Sequence, residues 1–134
     1  MPAEVNPLSR IEVVEWTARI GAITAEALAL RDCCTVASAR ARLAAARRAG
    51  LLKRARPLAG EPALFTATRK GLSSAALEDL EPGRLSVATA RHAIVCASVA
   101  AALERLYPDQ GLIGERELRR EERRRSVPLA SARV

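Results

Sequence analysis

The sequence predicts a mostly α fold of the α+β class: three short helices, a small β-hairpin, a fourth short helix and one long C-terminal helix. Three observations carry that prediction. Polar residues that cap helices precede each run of helically spaced apolar residues. A turn containing Pro57, Gly60 and Pro62 separates two short extended runs between Leu51 and Thr68. Ser86 to Leu106 then reads as one uninterrupted helix, closed by Pro108.

Taken in order, Ser9 and Glu12 have the S-x-x-E form of a capping box, and Ile11, Val14, Ala18 and Ala22 recur at helical spacing. A first helix is expected from Arg10 to Ile20, ending near Gly21. Thr24 caps a second, Ala25 to Arg31, which breaks around Asp32, Cys33 and Cys34. Thr35 caps a third, with Val36, Ala39, Leu43 and Ala46 on one stripe and Ser38, Ala41, Ala45 and Arg48 on the opposite side; Gly50 ends it. Leu51 to Leu58 and Ala63 to Thr68 form the two strands. Thr68 caps a short helix toward Leu77, ahead of an acidic linker from Glu78 to Gly83.

The long helix is apolar nearly all round between Ala93 and Leu103, which in water requires burial on more than one side and so suggests a partner. Beyond it, Leu112 and Ile113 form a short strand, Glu115 to Arg125 a solvated helix of alternating charge, and residues 126–134 a tail. The domain organisation is therefore 1–80 for the first unit, 84–125 for a helical extension that dimerises, and 126–134 for the tail.

Composition narrows the function. The chain has 134 residues, about one domain's worth, and its 49% hydrophobic content supports a real core. Trp16, Phe65 and Tyr107 are its only aromatics, too few to recognise single strands by successive base stacking or to build a carbohydrate platform. The formal charge of +7 favours a polyanionic partner. Of the 22 basic residues, 20 are arginine and alanine is abundant, a bias that GC-rich codons also produce, so the placement of the arginines weighs more than their number. Cys33, Cys34 and Cys96 form no CxxC and have only His92 for company, so no four-ligand zinc site is visible and no cofactor is expected. No secretory signal opens the chain, and the longest apolar run falls short of the ~20 residues of a membrane span. The expectation is a reduced, soluble, cytoplasmic protein.

Charge placement is the most informative feature. From Cys33 to Gly60 there are seven basic residues, Arg40, Arg42, Arg47, Arg48, Lys53, Arg54 and Arg56, and no acidic one. Two helices joined by a tight turn, the second bearing small Ala41 and Ala45 on its outer side, make a helix-turn-helix whose second helix fits a major groove about 12 Å wide. A merely solvated face would carry compensating acids. Thr35 and Ser38 sit at the N-terminal end of that helix, with Arg42 and Arg48 on or beside its exposed side; Arg40 and Arg47 flank the apolar stripe and hold phosphates; Lys53, Arg54 and Arg56 track the backbone from the hairpin. About five neutralised phosphates correspond to a salt slope near −4 to −5.

The run Leu43-Ala-Ala-Ala-Arg-Arg-Ala-Gly50-Leu51-Leu52 followed by Leu64-Phe-Thr-Ala-Thr68-Arg-Lys-Gly71-Leu72 resembles the L-x-x-L-x-x-x-G-L-[LV] … Y-x-L-T-x-x-G pattern of winged helix-turn-helix proteins, with departures at Arg47 and Ala67. The resemblance covers Ile11 to Leu77 and implies that the hairpin is the wing. With Leu85 to Val95, the long helix and Gly114-Glu-Arg-Glu-Leu118-Arg, the chain is similar to the replication-relaxation family of actinobacterial mobile elements and phages. Membership implies a winged helix joined to a longer region that continues into a nuclease-like sheet domain; neither Pro-Asp before a strand nor a later Glu-x-Lys follows Arg125, and no nuclease chemistry is carried over.

The expected function is therefore double-stranded DNA binding, as a transcriptional regulator or replication accessory factor of a mobile element, with homodimerisation through Val87, Ile94, Val95, Ala101, Ala102 and Leu106 spacing two recognition helices about one DNA turn apart. The alternative is a winged-helix protein-interaction module in a replication or conjugation complex. No helix joins a basic face to bulky apolar residues, which argues against anionic membranes. His92 reads as a surface or core histidine, Cys96 as a small core residue, and Cys33 and Cys34 as thiols that sense oxidants if exposed. No nucleophile, base and carboxylate are brought together by motif, and no enzyme is expected.

Overall fold

The structure, a computed structural model, describes residues 7–108; the expected strand at Leu112 and Ile113, the helix from Glu115 and the tail lie outside them. The element order is α1 (Pro7–Ile20), α2 (Ala25–Asp32), α3 (Val36–Arg48), β1 (Leu52–Ala55), β2 (Leu64–Ala67), α4 (Arg69–Ser74) and α5 (Val87–Leu106). The protein is mostly helical, with a small two-stranded antiparallel sheet and a long C-terminal helix.

Capping chemistry sets most boundaries. The hydroxyls of Thr24, Thr35 and Thr68 each accept the backbone N–H three residues on, at 3.0 Å in every case, which satisfies one orphan donor of each helix start. Ser86 opens α5 in a reciprocal box with Thr89. The first helix starts earlier than the expected Arg10: it already includes Pro7, so Ser9 lies within the helix and not at its start. Between α2 and α3 the chain turns through Cys33, whose left-handed φ of 53° closes α2 while its N–H reaches Ala29. The fourth helix is shorter than expected: it stops at Ser74, and Leu77 is buried from the following turn.

Val13, Val14, Trp16 and Ala18 of α1, Ala27 and Leu28 of α2, and Ala39, Leu43 and Ala46 of α3 meet in one core. Ile23, between α1 and α2, adds a single bridge to the edge of β2: its N–H and C=O exchange bonds with Phe65 at 3.0 and 2.8 Å. That bridge ties the helical trio to the hairpin. Ala97, Ala100 and Ala101 belong to the same core, so α5 lies across α2 rather than extending away from the first unit. Its N-terminal half covers the hairpin through Ala90, Ala93 and Ile94, against Ala22, Leu58 and Leu64.

The root of the hairpin explains the motif residues. Gly50 turns the chain out of α3 with φ +80°, and Leu51 enters the core. The Thr68 hydroxyl donates to the Gly50 carbonyl at 2.6 Å and its N–H to the Leu51 carbonyl at 3.1 Å, so β2 and α4 are bolted to the end of α3. At Gly71 a Cβ would overlap the Leu51 carbonyl oxygen, which leaves glycine as the residue that lets α4 approach.

Candidate nucleic-acid interface

Helix α3 presents Ala37, Ser38, Arg40, Ala41, Arg47 and Arg48 to solvent while Ala39, Leu43 and Ala46 face the core. At 100° per residue, Arg40 and Arg47 fall on the flank toward the hairpin, Ala37, Ala41 and Arg48 on the outermost stripe, and Ser38 and Arg42 on the flank toward the end of α2. In the hairpin, Arg54 pairs with Phe65 and Lys53 with Thr66, so the two basic residues of β1 stand on opposite faces. Arg54 faces α3.

The result is one open cleft of about 390 Å³ between α3 and the hairpin, into which Arg40, Arg47, Arg54 and Arg56 converge over a floor of Ala44, Ala63 and Phe65. The Arg56 Nε donates to the Glu61 carbonyl at 2.9 Å, which closes the hairpin loop and holds the guanidinium at the rim. Four guanidiniums with exposed planar forks in one cleft match the geometry of phosphate oxygens. Glu26, at the start of α2, also lines the cleft, 3.8 Å from Arg40. An acid-free window in the sequence could not reveal it, because Glu26 arrives from another element.

Two placements, those of Arg42 and Lys53, differ from the sequence expectation, while Thr35 is the expected N-cap. Arg42 does not stand on the exposed side: its side chain is 18% exposed and its guanidinium bonds the Asp32 carboxylate at the end of α2, whereas Arg40 is 69% exposed. Lys53 is exposed but shares a face with Thr66, where Gly83 of the linker packs, away from the cleft. Thr35 holds its hydroxyl on the Ser38 N–H as the N-cap. Arg48 lies on the outer stripe as expected.

Arg42 belongs to a second cluster that joins the helices. Arg31 lies 5.0 Å over the Trp16 ring, bonds Asp32 at 3.0 Å and reaches Glu104 of α5 at 3.0 Å, while Asp32 also receives Arg42. Residues of α1, α2, α3 and α5 are thus locked around one partly buried knot of charge.

On α5 the expected dimerisation residues separate. Ala101 is fully buried against the domain, out of a partner's reach, and Ile94 is half-buried against Ala22 and Leu64. Val87, Val95 and Leu106 are exposed, with Ala102 half-buried beside them, and Val99, Leu103 and Tyr107, absent from the sequence expectation, are exposed as well. The whole helix is long and apolar enough, by length and composition, to cross a membrane, which the shorter Ala93–Leu103 run concealed. Cys96 is half-exposed rather than core, with its Sγ 3.3 Å from the exposed His92 Nε2; Cys33 is exposed and Cys34 half-buried.

Against protein-family models, curated proteins and solved structures the chain finds no match. The functional reading therefore rests on the residues.

Proposed function

We propose that this chain binds double-stranded DNA as a winged helix-turn-helix protein, with α3 as the recognition helix and the β1–β2 hairpin as the wing. The observation that carries the reading is the convergence of Arg40, Arg47, Arg54 and Arg56 from α3 and the hairpin on one open cleft. With Arg48 they make five cations on one side, the number that a slope of about −4 to −5 in log K against log salt requires. The order of elements and the Ile23–Phe65 bridge support the winged-helix reading. Ala37 and Ala41 give the helix a shallow outer stripe on which its backbone can approach base edges, with Arg48 as the residue long enough to read them. The resemblance to the replication-relaxation family favours a regulator or replication accessory factor of a mobile element, acting in the cytoplasm.

Two copies paired along the exposed stripe of α5 would present two recognition helices to successive turns of one face of DNA. That stripe also favours a second reading, a protein-interaction module whose partner covers Val95, Val99 and Leu106. Selection from a random duplex pool at two salt concentrations separates the two. Enriched palindromes support a dimeric sequence-specific protein, salt-sensitive binding without enrichment a backbone binder, and no binding at low salt the interaction module.

A further inference from the structure

A carboxylate in a cleft that receives phosphate opposes binding, and Glu26 stands in such a cleft. Ala25 and Glu26, in the first turn of α2, line it together with Arg40, Arg47, Arg54 and Arg56. Among the described residues that form the lining, Glu26 is the one acid, so four guanidiniums and one carboxylate leave three net positive charges there. Its ion-pair partner is Arg40, 3.8 Å away.

The charge pairs that α3 makes with α2 differ in kind. Arg42 and Asp32 are partly buried and hydrogen-bonded, and they lock the two helices together. Arg40 and Glu26 are 69% and 46% exposed and stand beyond hydrogen-bond distance. An exposed pair of that length contributes little to stability, and an anion from solution replaces its carboxylate at small cost. Capping of α2 does not require Glu26 either, because the Thr24 hydroxyl already accepts the Ala27 N–H. The consequence of the carboxylate therefore falls on the anion that enters the cleft.

We propose that Glu26 sets the affinity of this cleft for duplex DNA. It acts as a built-in counterion that occupies Arg40 in the free protein and yields it to a phosphate on binding. That phosphate displaces the carboxylate from the guanidinium and then lies close to a like charge, and both effects weaken the complex. Fewer phosphate charges are neutralised than four arginines alone would neutralise, so fewer counterions leave the DNA and binding depends less on salt. The unaltered chain then falls at the shallow end of the expected range, at a slope of about −4. The proposal rests on the DNA-binding reading of the cleft.

The test is fluorescence anisotropy of a labelled random-sequence duplex across a series of salt concentrations, with the unaltered chain, Glu26→Gln, Arg40→Ala and the double variant. Glutamine keeps the size of the side chain and removes its charge; circular dichroism checks that each variant folds. Glu26→Gln is expected to bind about three- to tenfold more tightly at low salt, with a slope steeper by about 1. Arg40→Ala is expected to cost about 1 in slope in the Glu26→Gln background and clearly less in the unaltered one, because the two side chains are coupled. A carboxylate that served only the stability of α2 would move the melting temperature and leave the slope alone. Equal or weaker binding by Glu26→Gln with an unchanged slope, or the same effect of Arg40→Ala in both backgrounds, overturns the role of Glu26 and leaves the DNA-binding reading standing. No binding by any of the four chains at low salt overturns both.

Discussion

Gly71 makes no contact that a sequence reader would value, yet it decides how the hairpin joins the helices. A methyl group there has the Leu51 carbonyl in its way, and backbone cannot rotate aside as a side chain can. Gly71→Ala is therefore expected to lower stability by about 2 kcal/mol or more, read as a fall in the thermal midpoint; exposed Gly60 has open space around it but holds φ +79°, so Gly60→Ala carries instead the cost of about 1 kcal/mol of a left-handed backbone. Thr68 and Gly71 were legible as a motif, but the reason for their spacing was not. It depends on a hydroxyl reaching back to Gly50 across the sheet. Arg42 shows the opposite failure. Its place on a helical wheel put it near the exposed side, and only the packing of α2 against α3 delivers the Asp32 carboxylate to it. Arg42→Ala should accordingly cost about 1–3 kcal/mol of stability, by denaturant unfolding, because it strips a charged hydrogen bond from a partly buried carboxylate. Its effect on DNA affinity should be small beside that of Arg47→Ala.

At the scale of elements, α5 is the informative case. Its sequence is apolar all round from Ala93 to Leu103, so no periodicity distinguished the face that meets α2 from the face that meets solvent. Packing separates them: Ala97, Ala100 and Ala101 are small because α2 lies close against them, whereas Val95 and Val99 stand outward. Alanine at a close helix crossing and valine on an exposed stripe look alike to a hydropathy pattern. A charge distinguishes them. Ala101→Glu should unfold the domain, while Val99→Glu should leave the melting temperature of the isolated chain within a few degrees and abolish pairing in light scattering. The caps were legible in four helices, since Thr24, Thr35, Thr68 and Ser86 act locally. The bridge at Ile23 was not, because one residue of strand has no period to detect.

Across the whole molecule, the fold turns a sequence-level charge into a directed one. Seven basic residues between Cys33 and Gly60 become five on one side, with Arg42 drawn inward as structural glue and Lys53 turned to the other face of the hairpin. The knot of Arg31, Asp32, Arg42 and Glu104 fixes α3 relative to α5, so the proposed recognition helix and the exposed stripe of α5 hold a constant relation. Replacing Arg31 by alanine should loosen both together, seen as faster amide hydrogen exchange in α2 and α5 than in the hairpin. The measurement that bears most directly on the account is the salt dependence of binding to a fluorescent DNA duplex, for the unaltered chain, for Arg47→Ala/Arg54→Ala and for Arg84→Ala, which lies away from the cleft. The expected slope for the unaltered chain is about −4 to −5, shallower by about 2 in the double variant and unchanged in Arg84→Ala. Equal slopes in all three, or no binding at low salt, would contradict a DNA-binding role for this surface.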